Sequence, residues 1–97
     1  MLEIRKSHEA DSDIESIWQF SFEQWGESRA DRYYDKLEDG ITQLTHTPAI
    51  GRARDEIREG LRAYHVGRHF IYYYVRDDHV YVVRVRHDKS DPALFEE

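Results

Sequence analysis

The chain has no cysteine in its 97 residues, which excludes disulfides, thiolate metal sites and a cysteine nucleophile. It has no apolar run of about 18 residues, so no membrane-spanning helix and no membrane partner is expected. The opening "MLEIRKSHEADSD" lacks the apolar stretch of a secretory signal, which makes the cytoplasm the expected location. A surplus of positive charge is missing as well. The formal charge is −6, whereas gripping phosphate backbones needs clustered Lys and Arg, so direct sequence-specific nucleic-acid binding is not expected. No glycine-rich phosphate loop, HExxH pair or serine elbow occurs, and neither a cofactor nor a metal is expected. What remains is one small domain over residues 1–97, with room for a single two-layer core. Its aromatic content of 13% raises the apolar area available for burial.

Charge is unevenly placed. Residues 1–60 hold 8 Lys/Arg against 14 Asp/Glu, while residues 61–97 hold 6 of each and four of the histidines. Acid in the first half and cations in the second suit a partner-binding face better than a general nucleic-acid surface.

The periodicities predict an α+β fold in the order βααβββ. "LEIRKS" alternates as a short strand, and Ser7 can cap the helix that follows. Ala10, Ile14, Ile17, Trp18, Ser21 and Trp25 share one helical face until Gly26 stops it. A second helix from Ser28 carries Ala30, Tyr33, Tyr34, Leu37, Ile41 and Leu44, and ends before Pro48. One glycine between two helices means a tight helical hairpin. "AIGRARDEIREG" reads as a polar loop with a helical turn at 54–59, where Arg58 can pair with Asp55 or Glu56. After Gly60 the period becomes two: "LRAYHV", "RHFIYYYV" and "VYVVRVRH" are strands, turning at "VGR" and "RDD". The hairpin of helices then covers one face of a mostly antiparallel sheet. Strict alternation sends Tyr81, Val83 and Val85 toward the helices, and Val80, Val82, Arg84 and Arg86 away.

Several stretches in this order resemble one known family over nearly the whole chain: "DIESIWQFSFEQWGE", "PAIGR", "DEIREGLRAYHVGRHFIYY", "VVRVRH" and "DKSDP". They are similar to the RelE/ParE superfamily of bacterial type II toxins, and to its ParE branch more than to RelE. The resemblance implies a toxin that poisons DNA gyrase without chemistry of its own, neutralised by a cognate ParD-like antitoxin. The alternative is a ribosome-dependent mRNA endoribonuclease of the RelE type, and a third reading is a toxin fold that has lost toxicity. Cleavage of RNA needs a base, an acid and cations around the phosphate. RelE-like enzymes supply a Lys-x-Lys pair, an arginine opening the next strand, and a late arginine and tyrosine. The matching places here hold Arg62 and Tyr64, then His69, with the late pair near His87–Asp88 and Leu94–Phe95. The candidate catalytic residues of that alternative are therefore Arg62, His69 and His87, the last able to exchange protons near neutrality.

The candidate partner-binding residues are Arg58, Arg62, Arg84, Arg86 and His87, a cationic surface for an acidic, initially disordered antitoxin segment. His65, His69, His79 and His87 lie on or beside strands but lack metal-ligand spacing. Asp77-Asp78 reads as a turn. Trp18 and Trp25 are expected in the core, with Phe20 and Phe22 off the main stripe and open to a partner. In "YYY", Tyr73 must oppose Tyr72 and Tyr74.

Overall fold

The computed structural model describes residues 1–90. Strand β1 (Glu3–Lys6) leads into helices α1 (His8–Trp25) and α2 (Glu27–His46). A 3₁₀ turn at Pro48–Ile50 and a two-residue strand β2 (Arg52–Ala53) precede β3 (Arg62–Val66), β4 (His69–Val75) and β5 (His79–His87). The sheet runs β1-β5-β4-β3-β2, with β1 parallel to β5 and the other pairs antiparallel. The expected order is present. Strand β2 is the addition, cut from a segment read as loop because two residues leave no periodicity to detect.

Local chemistry sets the helix boundaries. Ser7 Oγ accepts the Ala10 amide at 2.9 Å and donates to the Val83 carbonyl at 2.7 Å, so one hydroxyl caps α1 and ties it to β5. Gly26, at φ +90°, ends α1 and opens α2 with no residue to spare. Helix faces separate at the ends of the stripes. Ala10, Ile14 and Ser21 of α1 and Ala30, Leu37, Ile41 and Leu44 of α2 are buried as expected. Trp25 and Tyr34 are not: they are 54% and 41% exposed, Trp25 on the wall of an open groove.

Ala10, Ile14, Leu37, Ile41 and Leu44 pack on Ile71, Tyr73, Val80, Val82 and Val85 to form the main core. Val80 and Val82 are therefore under the helices rather than on the far side, while Val83 packs with Leu61, Ala63, Tyr72 and Tyr74 on the opposite face. The cause is a β-bulge. Tyr72 pairs with Arg84 and Tyr73 with Val82, leaving Val83 as an extra residue, so alternation counted back from Val85 loses phase. The alternation expected within "YYY" is present: Tyr73 faces the helices and Tyr72 and Tyr74 face away. Tyr73 is fully buried, donates to the Pro48 carbonyl at 2.6 Å and accepts the Gly51 amide at 2.9 Å, pinning the 3₁₀ turn to the sheet. Burial raises its pKa.

Candidate functional site

The helical hairpin and the sheet leave an open groove of about 1390 Å³ between them. Its apolar wall comes from α1, where Ile17, Phe20 and Trp25 face the opening; the Phe20 and Trp25 rings meet edge-on at 6.1 Å. Helix α2 supplies Arg29, Arg32 and Lys36 at i, i+3 and i+7, one stripe of cations. The β3–β4 turn adds Arg68 and His69, and β5 adds Arg84, Arg86 and His87. Among the described residues, six Lys/Arg line the groove against one carboxylate, Asp13.

Asp13 is committed to the fold. It accepts Arg84 Nε at 2.8 Å, Arg84 Nη2 at 2.9 Å and the Val85 amide at 2.9 Å. The bidentate pair takes Arg84 around the edge of β5 toward α1 instead of leaving it on the helix-free face. Arg86 stands opposite Phe70, which packs on that helix-free face, and reaches the groove at its rim.

At the sheet end of the groove, His69 and His87 are register partners on β4 and β5, their rings edge-on at 5.4 Å. Tyr33 Oη lies 2.6 Å from His69 Nδ1 and accepts the Arg68 amide at 3.0 Å. That hydroxyl clamps α2 onto the turn, and Gly67 makes room for it. At φ +59° and with a notional Cβ 2.7 Å from the Tyr33 ring, position 67 admits no side chain. Burial and the neighbouring His87 push the His69 pKa down to about 4, so His69 is neutral at physiological pH. The short contact joins that neutral ring to the phenol, and burial in turn raises the Tyr33 pKa. His87 Nδ1 accepts the Lys89 amide at 3.1 Å and lies 3.4 Å from Asp88, whose other oxygen is 3.1 Å from His65 Nε2. The His65 contact holds the Asp88 carboxyl below its usual pKa.

The candidate residues thus divide. Arg84, Arg86, His69 and His87 come together at the groove. Arg62 does not: it pairs across from Tyr73, four residues along the strand from the position opposite His69, about 13 Å away. Its guanidinium donates to the Gly51 and Ala49 carbonyls at 2.9 and 3.0 Å. Arg58 is exposed on the 54–60 loop, where Glu56 bonds Arg54 at 2.6 Å and Asp55 accepts the Gly60 amide. Leu94–Phe95 lies outside the described residues. Sequence reasoning missed Arg29, Arg32, Lys36 and Arg68, although α2 carried a signal. Its cations at 29, 32 and 36 and its acids at 27, 31 and 35 form two separate helical stripes. Among the described residues, no group of three metal-ligating side chains is found, and no helix is long and apolar enough to cross a membrane.

A helical hairpin on a five-strand mixed sheet, with six cations lining one groove, defines a small two-layer α+β protein. A solved structure titled "Chromosomal ParDE TA system from P. aeruginosa" shares that fold with a TM-score of 0.79, covering 90% of this chain and 96% of its own at 15% identity. The family described as ParE toxin of type II toxin-antitoxin system, parDE, matches residues 4–92. Toxin ParE1 of Mycobacterium tuberculosis is 37% identical over 83 residues, covering 84% of this chain and 85% of the relative. Toxin ParE1 of Caulobacter vibrioides is 31% identical over 87 residues, covering 90% of each. The chain belongs to the ParE toxin family of type II toxin–antitoxin systems.

Proposed function

We propose that this toxin inhibits growth by binding DNA gyrase, and that a ParD-like antitoxin neutralises it by laying an acidic, amphipathic segment into the groove. The carrying observation is the groove itself: an aromatic wall on α1 facing a stripe of cations on α2 and the strand ends. Apolar anchors would fill against Phe20 and Trp25, and carboxylates would meet Arg29, Arg32, Lys36 and Arg68. Such a segment orders on binding and wraps a surface that a rigid partner could not reach. Membership of the ParE family supports the gyrase target.

The non-enzymatic reading draws support from Arg62, whose guanidinium is spent on two backbone carbonyls away from His69 and His87. General acid–base cleavage needs its groups converged on one phosphate. The test adds purified toxin to gyrase, plasmid and ATP, with ribosome-bound mRNA in parallel. Loss of supercoiling with accumulation of linear DNA, reversed by the antitoxin, is the expected result. Intact supercoiling together with mRNA cleavage abolished by His87→Gln would sink the proposal.

A further inference from the structure

The outer flank of the helical hairpin takes no part in the groove. On α1, Trp18 and Phe22 stack one turn apart with centroids at 5.2 Å and planes at 25°. Phe22 is 43% exposed. The Trp18 indole donates to Asp31 Oδ1 at 2.9 Å, which fixes the ring across the seam between the helices. Acid surrounds the pair: Glu15 and Glu23 fall at helical spacing on α1, and Glu27, Asp31 and Asp35 form the second stripe of α2, all exposed. The two flanks of one hairpin therefore carry opposite charge, each around its own aromatic pair.

We propose that this flank is a second docking surface, for a basic protein segment that presents arginine. A guanidinium is planar and weakly hydrated, so it can lie over the Phe22 ring while its N–H groups meet the carboxylates of Glu15, Glu23 or Asp31. An exposed Phe22 ring stacked on a half-buried Trp18, itself fixed by a hydrogen bond across two helices, is a preorganised anchor, and a carboxylate rim selects its partner's charge. A segment bound here leaves the groove open, so the toxin can hold an acidic partner on one flank and a basic one on the other.

The two tryptophan indoles report the two sites separately. Nitrogen-15 spectra are recorded on the whole chain during titration with a short synthetic peptide alternating arginine and leucine, then with its glutamate–leucine counterpart. The arginine peptide is expected to move the Trp18 indole and the amides of 19–23 while leaving the Trp25 indole in place. Phe22→Ala, a change at an exposed position, is expected to weaken that binding about tenfold with the rest of the spectrum unchanged. A Trp18 indole that does not move overturns the proposal. Binding that survives Phe22→Ala at full strength is general charge attraction and overturns it too. Shifts at Trp18 that grow with protein concentration alone assign the flank to a second copy, with the same consequence. The glutamate peptide tests the groove independently, since its expected mark is the Trp25 indole.

Discussion

Asp13 holds three hydrogen bonds at once, two to Arg84 and one to the Val85 amide, at the point where β5 runs beyond β1 and its edge would otherwise be open. Asp13→Ala removes all three, among them both bonds to a part-buried guanidinium. We expect a loss of about 2–3 kcal/mol in urea unfolding, with Asp13→Asn recovering part of it by keeping an acceptor for the amide. His69 predicts a pH dependence. Its folded pKa, about 4, lies below the unfolded value of about 6.5, so between those values the unfolded chain binds a proton that the native one refuses. The His69 contribution is complete above pH 6.5 and is lost as pH falls toward 4, on the order of 1–2 kcal/mol once discounted for its half-open position. Midpoints of denaturation measured across that window should slope upward with pH, and His69→Gln should flatten the slope. An unchanged slope in the variant would place the effect elsewhere. None of this was legible in the sequence: residues 13 and 84 are joined only by the fold, and the imidazole's environment is made by α2 and β5 together.

Elements divide into those written locally and those corrected by their neighbours. The helical hairpin is local: Ser7 caps, Gly26 breaks, Pro48 stops, and each acts within a few residues. Ser7→Ala should cost about 1–2 kcal/mol, toward the upper part of the usual range for a cap because the hydroxyl also donates to Val83 on β5. Thermal unfolding checks it, and Ser7→Thr should restore most of the loss. Strand β5 is the opposite case. Its composition announced a strand, but its two faces were assigned by strict alternation, and the bulge at Val83 shifts that count by one. Beside the bulge, Ser7 and Asp13 bond the outer edge of β5 at the Val83 carbonyl and the Val85 amide, an arrangement no window along β5 can reveal. Trp25 was misplaced for a related reason: helical spacing put it on the apolar stripe, yet no local pattern reveals that the hairpin and the sheet leave an open groove at that position.

At the scale of the whole molecule, a protein with a net charge of −6 gathers six cations around one groove. Charge reversal at two of them, Arg29→Glu with Arg32→Glu, leaves the core untouched, since both side chains are exposed. The proposed function then expects affinity for the antitoxin to fall at least about 100-fold, and binding by the parent toxin to weaken with added salt. Calorimetry in two ionic strengths measures both, and an unchanged affinity would move the antitoxin off the groove. The sequence by itself determined the element order, the helical hairpin, the α+β class and the likeness to the ParE family, because each rests on short-range periodicity or on the order of short stretches. Only the tertiary structure decided which side chains share a site. It set Arg29, His69 and His87 around one groove and kept Arg62 away, it turned Val80 and Val82 inward, and it lowered the pKa of His69. Those outcomes depend on contacts between residues dozens of positions apart, and a local pattern carries no record of them.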